Sequence, residues 1–247
     1  LAAVSTRAVR DGHDWVVDGQ KVWTSLAHLS DWCFVLARTE PGSHRHAGLS
    51  FLLVPLDQPG VEVRPIRQLT GTSEFNEVFF SGARTSADLV VGEPGDGWRV
   101  AMALLGFERI FLGSPRQSAH AFGRLKGLAR HYGVWDDPVV RDRYNQLWLD
   151  LEDHKALYER FADILRRGEA LGAEVSLLKL NQSELYQRIS EFMLDLASED
   201  GGRLDPLGGD ADLHAPGIFL TARAATIYGG ASEVQRNIVA KNVLRLP

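Results

Sequence analysis

A single carboxylate, Glu108, lies with Arg109 inside a run of the sequence that is otherwise apolar. Its neighbours at helical spacing are all large and apolar: Leu104, Leu105, Phe111 and Leu112. A buried carboxylate is unfavourable unless it is paired, protonated or functional. Burial favours proton uptake by a carboxylate, which suits a general base. A structural ion pair with Arg99 or Arg109 is the alternative, although adjacent residues on a helix do not face each other.

Residues 226–247 contain a second candidate for chemistry, a glycine-rich turn followed by a helix. Tyr228-Gly229-Gly230 ends one element, because two adjacent glycines relax the backbone. Ser232 is then expected as the helix N-cap, with Gln235 at the spacing of a capping box. Such a turn presents free N–H groups to a phosphate or another polar ligand. An ordinary capped helix fits the same residues equally well.

Other common catalytic signatures are absent from the sequence. No G-x-G-x-x-G, Walker P-loop, H-E-x-x-H or G-x-S-x-G motif occurs. His44 and His46 flank Arg45 in a polar stretch, which is a poor arrangement for metal ligands, so no metal site is expected. The short strand Lys21-Val22-Trp23-Thr24-Ser25 is the remaining feature with a possible function; an edge strand of a hairpin is its structural alternative.

The elements that carry these residues change in type near residue 92. Before it, short apolar runs are separated by turn residues, which is typical of a sandwich or barrel. The runs lie at residues 15–17, 21–23, 33–37, 49–54, 61–63, 78–80 and 89–91. Asp18-Gly19 lies between the first two runs and predicts a hairpin turn.

Beyond residue 97 the pattern is helical. Residues 98–113 are apolar on nearly every side, which predicts a buried helix. Residues 120–132 continue as a helix, and residues 198–216 are expected as a loop. Two long helices are indicated by apolar positions at intervals of three and four: Val140, Tyr144, Leu147, Leu151, His154, Tyr158, Phe161 and Leu165 in one, and Leu178, Leu185, Ile189, Phe192 and Leu196 in the other.

These patterns predict an α+β protein of more than one domain. An antiparallel β-barrel or sandwich domain, residues 1–95, precedes an antiparallel domain like a four-helix bundle, residues 96–247. The net charge of −5 argues against a nucleic-acid partner. No apolar run approaches the ~20 residues that a membrane span needs. The single cysteine, Cys33, excludes internal disulfides and fits a reducing cytoplasm.

Three segments together resemble the acyl-CoA dehydrogenase family. The C-terminal I-Y-G-G-A-S-E-V-Q-R-N-I is similar to the family's terminal signature, and residues 21–25 are similar to its K-x-W-T-S strand. Most members place the catalytic glutamate at the position of Gly229. Isovaleryl-CoA and long-chain acyl-CoA dehydrogenases instead carry it in an E-R pair on the first bundle helix, which Glu108-Arg109 resembles.

The resemblance implies a role for each candidate residue. Glu108 becomes the catalytic base, and Arg109, Tyr228 and Gly229 become substrate-binding residues. The residues implied to bind FAD are Trp23, Thr24, Ser25, Gly230, Ala231, Ser232 and Glu233. Family members carry a further helical domain at their N-terminus, so the sequence is expected to be a fragment that lacks it.

The implied activity is FAD-dependent α,β-desaturation of an acyl-CoA to a trans-2-enoyl-CoA, as in fatty acid β-oxidation, with electrons passed to an electron-transferring flavoprotein. A homotetramer or heterotetramer is implied. Two alternatives remain: a flavin oxidase or monooxygenase of the same fold, and a non-catalytic subunit of a heterotetramer. Two departures favour the latter, because the family's R-x-x-F-G and Q-x-x-G-G-x-G flavin-phosphate segments are replaced in residues 129–133 and 194–202.

Overall fold

The computed structural model describes residues 3–203, 205 and 214–246, which form two compact units, Leu1–Leu104 and Leu105–Pro247. The first unit is built on one six-stranded sheet, so the α+β class is confirmed. Its strands are β1 Arg7–Asp11, β2 Asp14–Ser25, β3 Trp32–Arg38, β4 Leu49–Pro55, β5 Val61–Ile66 and β6 Phe75–Ser86.

The strands follow the order β4-β3-β1-β2-β6-β5, and every pairing is antiparallel except that of β1 with β3. The chain then returns to β4, where Leu53 N donates to Leu89 O and Val91 N donates to Phe51 O. The expected run at residues 89–91 is therefore hydrogen-bonded to the sheet, although it forms a bridge rather than a strand. This return covers the edge of β4 that does not pair with β3.

The predicted hairpin at Asp18-Gly19 is wrong, because β2 runs continuously through both residues. The turn lies instead at Gly12, which has a φ of 59° between β1 and β2. The register of β2 against β6 shifts just before Gly19, between Val17 and Asp18, and a Cβ on Gly19 would lie 2.8 Å from Thr6 Cα. Gly19 is required by this close approach inside a bulged strand rather than by a turn.

The second unit is helical. Its described α-helices, with α1 beginning in the first unit, are α1 Gly97–Leu112, α2 Arg116–His131, α3 Pro138–Arg166, α4 Ser176–Ala197, α5 Ala215–Ala225 and α6 Ser232–Asn242. Helix α4 is central and contacts α2, α3, α5 and α6. All five apolar positions predicted on α4 are buried, and four on α3, Leu147, Leu151, His154 and Phe161, are buried with them. Both predicted stripes are confirmed.

The prediction of a buried first helix is wrong. Of the residues of α1, only Gly97 and Ala101 are buried, while Met102, Leu104, Phe107 and Phe111 are exposed. Apolar composition predicted a covered helix, but nothing in the described part of the chain covers this face. Of the expected loop at residues 198–216, residues 198–202 form a 3-10 helix, and residues 204 and 206–213 lie outside the described residues.

Candidate active site

Glu108 lies in the last third of α1 and is half-buried. Among the described residues, no hydrogen bond or ion pair engages its carboxylate or the Arg109 guanidinium. The expected alternative, an ion pair with Arg99, is not formed, because Arg99 pairs with Asp96. Exposed Phe107 and Phe111 lie on either side of Glu108 in the helix. The Glu108 carboxylate is therefore half-buried and unpaired among the described residues, and two exposed aromatic side chains flank it in the sequence of the helix.

The end of α1 is anchored to the bundle just beyond Glu108. His154 Nε2 donates to the carbonyl oxygen of Gly113 at 2.9 Å from within the core. Burial lowers the pKa of His154, so the imidazole is kept neutral, although the Gly113 carbonyl acts in the opposite direction. Gly113 also packs against α4, where a Cβ would lie 2.5 Å from Leu178 Cβ. These contacts fix the C-terminal end of α1, the helix that carries Glu108.

The turn between α5 and α6 lies against the same end of α1. Gly229 adopts a φ of 62°, and a Cβ there would lie 2.1 Å from Leu112 Cδ1. Leu112 is one helical turn beyond Glu108, so the turn and the carboxylate approach the same part of the helix. Tyr228 precedes the turn, and its hydroxyl donates to Gln117 Oε1 at 3.4 Å. Burial raises the pKa of this tyrosine, and the bond to Gln117 partly offsets the effect.

The capping box predicted at Ser232 and Gln235 is wrong. Ala231 is the N-cap of α6, no side chain caps the helix, and the buried Ser232 hydroxyl has no partner in the described residues. Gln235 instead donates from Nε2 to Gly229 O at 3.3 Å. No acceptor is found in the described chain for the amides of Gly229, Gly230 and Ala231, whereas Ser232 N donates to Thr226 O. These three successive residues, 229–231, are called the free-amide turn below; free N–H groups of this kind can donate to a carbonyl or an anion.

Glu233 follows on the first turn of α6 and is exposed. Its carboxylate acts electrostatically on Lys179 of α4, whose ammonium is buried without a hydrogen-bond partner among the described residues. Burial lowers the pKa of Lys179, and the charges of Glu233 and Glu184 raise it in part.

The strand carrying Trp23, Thr24 and Ser25 is bulged. The register of β2 against β6 shifts between Lys21 and Thr24, so two residues oppose one. Trp23 occupies the left-handed region with a φ of 62°, is 62% exposed, and contacts Phe75 edge-on at 6.1 Å. Thr24 and Ser25 then resume pairing, and Asn76 Nδ2 donates to Thr24 O. The bulge turns an indole outward beside an exposed hydroxyl.

Leu26 ends this strand in the left-handed region, with a φ of 53° and a ψ of 23°. Glycine and asparagine adopt this conformation readily, whereas a branched apolar side chain is strained in it.

A planar cofactor fits some of these residues and not others. The outward indole of Trp23 and the hydroxyl of Ser25 suit a flat ring with polar edges. Residues 194–202 suit a diphosphate poorly, because they carry the carboxylates of Glu199 and Asp200. The hydroxyl of Tyr132 donates to Asp200 at 3.1 Å, and burial, aided by that bond, raises its pKa to about 12. The two altered segments therefore bind each other.

The chain thus consists of a six-stranded sheet followed by a helical bundle, and Glu108 and the glycine turn lie toward the same end of α1. Family models for the acyl-CoA dehydrogenase middle domain and C-terminal domain match residues 1–83 and 95–244. The chain belongs to the acyl-CoA dehydrogenase family.

Known proteins support this assignment over the whole chain. The acyl-CoA dehydrogenase IpdE1 of Mycobacterium tuberculosis is 51% identical over 100% of the chain and 63% of its own length. A Tcur3481-Tcur3483 steroid ACAD has a TM-score of 0.90 at 29% identity, over 100% of this chain and 64% of that one. The ChsE4-ChsE5 complex of Mycobacterium tuberculosis has a TM-score of 0.85 at 27% identity, over 100% of this chain and 65% of the matched chain. The chain thus spans less than two thirds of each.

Proposed function

We propose that the protein containing this chain is an FAD-dependent acyl-CoA dehydrogenase in which Glu108 removes the α-proton of an acyl-CoA. One observation carries the proposal: Leu112, one helical turn beyond Glu108, packs on Gly229 of the free-amide turn. The turn has glycine where most family members have the base, and an unpaired carboxylate lies on the adjoining helix. The domain division at residues 95 and 96 is part of the same proposal.

The residues of the helical unit would carry the proton chemistry. The amides of Gly229 and Gly230 are free to donate to the thioester carbonyl, which stabilises negative charge as the α-proton leaves. Glu108 would accept that proton. Its carboxylate is available as a base, since no other group in the described chain engages it. Tyr228 would line the acyl end and Arg109 the CoA end. Phe107 and Phe111 would exclude water from the carboxylate once substrate covers them.

FAD, when bound, would supply the acceptor for the β-hydrogen, which leaves as hydride. In the sheet unit, Trp23, Thr24 and Ser25 would hold the isoalloxazine ring. In the helical unit, Gly230, Ala231, Ser232 and Glu233 would line the nucleotide end of the flavin or the thioester. No phosphate contact is proposed for residues 194–202.

The partners follow from the family and its relatives. An electron-transferring flavoprotein would reoxidise the enzyme, and a homotetramer or heterotetramer would form the assembly. The steroid named for one structural neighbour makes a steroid-derived acyl-CoA the first substrate class to test. Cytoplasmic location is part of this proposal. No helix in the described part of the chain is long and apolar enough to span a membrane.

A non-catalytic subunit of a heteromeric dehydrogenase is the second candidate. The bond between Tyr132 and Asp200 favours it, because this bond and the carboxylate of Glu199 replace a segment that would otherwise contact flavin phosphate. An absorption spectrum of the full-length protein, alone and with its partner chain, distinguishes the candidates. A protein without flavin in both samples would favour the non-catalytic subunit.

The proposed base is tested with Glu108→Gln in the full-length protein. This change keeps size and hydrogen bonding but removes the proton acceptor, so acyl-CoA should still perturb the flavin spectrum. Flavin bleaching should slow by ~10²–10⁴-fold, as is typical of general-base loss. Glu152→Gln, at an exposed position of α3, is the matched control, and its flavin should bleach at the wild-type rate. A wild-type rate in Glu108→Gln would exclude this base and make Glu233→Gln the next variant.

A further inference from the structure

The free-amide turn, residues 229–231, is held between two helices by one side chain on each. Leu112 of α1 contacts Gly229 on one side. On the other side Gln235 of α6, which is 2% exposed, reaches back to Gly229 O with its Nε2. The turn has no regular secondary structure of its own, so these two side chains restrict where it can move.

The bond from Gln235 requires a glycine at position 230. A Cβ on Gly230 would lie 2.3 Å from Gln235 Nε2, which is far inside van der Waals contact. The φ of 96° at Gly230 is also one that other residues rarely adopt. Gln235 and Gly230 therefore depend on each other. The side-chain amide of Gln235 occupies the space that a side chain at position 230 would fill.

This contact fixes the direction of a peptide plane. A trans peptide holds its carbonyl and its N–H on opposite sides. Because Gly229 O points toward Gln235, the N–H of Gly230 points away from it. Gln235 thereby determines where one of the three free N–H groups is aimed, without approaching the ligand itself.

We propose that Gln235 is a positioning residue for the reaction, and that it acts by clamping the Gly229–Gly230 peptide so that its N–H faces the substrate. This inference rests on the proposed function, since it assigns the clamped turn to the thioester. A donor aimed at developing charge acts chiefly in the transition state, so its misalignment lowers the rate more than it lowers binding.

The test is a double-mutant cycle in the full-length holoenzyme with Gln235→Met and Gly230→Ala. Each single change breaks the same contact, and misplacing a group by ~1 Å costs on the order of 10²-fold in rate. We expect each variant to reduce flavin about 10-fold to 100-fold more slowly, with the Kd for acyl-CoA changed by less than about 3-fold. The double variant should be far less impaired than the product of the two single effects predicts.

Gln187→Met is the matched control, because Gln187 makes amide bonds of the same kind to Ala222 O and Thr226 Oγ1. It should lower the melting temperature without slowing flavin reduction. A second readout needs no activity: in the apoprotein, the Ser232 amide, which donates to Thr226 O, should exchange its hydrogen faster in Gln235→Met than in the wild type.

The two readouts separate the clamp from the proposed base. If wild type and Glu108→Gln reduce flavin equally, the base is wrong, and the exchange rate of Ser232 still decides whether Gln235 holds the turn. A Gln235→Met protein that exchanges the Ser232 amide at the wild-type rate overturns the clamp. Faster exchange with a wild-type rate of flavin reduction overturns the positioning role, as would purely multiplicative effects in the cycle.

Discussion

Moving the carboxylate from position 108 to position 229 tests the geometry at the end of α1. Glu108→Gly with Gly229→Glu would place the base where most family members carry it. The structure adds an obstacle, since Gly229 has a φ of 62° and its missing Cβ would lie 2.1 Å from Leu112 Cδ1. We therefore expect the double variant to fail unless Leu112 is also shortened.

The size of the obstacle follows from two contributions. A side chain in the left-handed region costs ~1–2 kcal/mol, and forcing atoms into a packed contact costs ~1–3 kcal/mol. Gly229→Ala, the smallest probe of both, should lower the free energy of unfolding by ~2–5 kcal/mol. That is a large part of a typical total of ~5–15 kcal/mol. Leu112→Ala should remove the packing contribution and leave the backbone strain of ~1–2 kcal/mol.

Urea denaturation and flavin reduction measure the two halves of this prediction. In urea, Gly229→Ala with Leu112→Ala should be less destabilised than the sum of the single variants. In the kinetic assay, Glu108→Gly/Gly229→Glu/Leu112→Ala should bleach flavin at least about 10-fold faster than Glu108→Gly/Leu112→Ala, because a general base contributes ~10²-fold or more.

Either measurement, the urea denaturation or the flavin reduction, can contradict the proposed geometry at the end of α1. A loss of less than ~1 kcal/mol in Gly229→Ala would mean that Leu112 does not restrict the turn, since the left-handed backbone alone should cost that much. A stable triple variant no faster than its control would mean that positions 108 and 229 do not reach the same carbon of the substrate.

Two further predictions concern the sheet unit. Leu26→Gly should raise the free energy of unfolding, measured in urea, by ~0.5–1 kcal/mol. The change relieves left-handed strain at residue 26, and this gain exceeds the cost of the added entropy of the unfolded chain. The control Leu29→Gly, at an exposed neighbouring position, should not stabilise the protein. Burial lowers the pKa of Lys21 to about 8 from 10.5, so the unfolded chain binds more protons above that pH, and stability should rise by about 1 kcal/mol between pH ~8 and pH ~9. Burial raises the pKa of Cys33 to about 11, which opposes this gain in stability by about 0.3 kcal/mol. In urea titrations at both pH values, Cys33→Ala should therefore show a larger rise in stability than the wild type, and Lys21→Met should show no rise.

The long helices of the bundle were predictable because their signal is local. Apolar positions spaced by three and four place Leu147 and Leu151 on one face of α3, and Leu185 and Ile189 on one face of α4, whatever packs against them. The same signal failed for α1. Periodicity shows that a face is apolar, whereas exposure depends on whether another element covers it, and Phe107 and Phe111 are uncovered in the described chain.

The hairpin error has a different cause. Asp11-Gly12 and Asp18-Gly19 are the same dipeptide, and local turn preference cannot separate them. What separates them is the long pairing of β2 with β6 and the approach of Thr6 to Gly19. The candidate site shows the same limit. Motifs predicted Glu108 and the glycine turn, but the contact of Leu112 with Gly229 joins residues more than a hundred positions apart and has no local signature.

The backbone around Trp23 gives a reason for a ligand that does not depend on resemblance. A bulky residue in the left-handed region is strained by on the order of 1–3 kcal/mol, and leaving an indole 62% exposed is also unfavourable. A regular strand would relieve the strain by pairing through residues 22 and 23, so the bulge is retained against the stability of the sheet. A planar ring stacked on the indole would cover the apolar surface that the bulge exposes. This balance supports Trp23 as the residue that would meet the flavin.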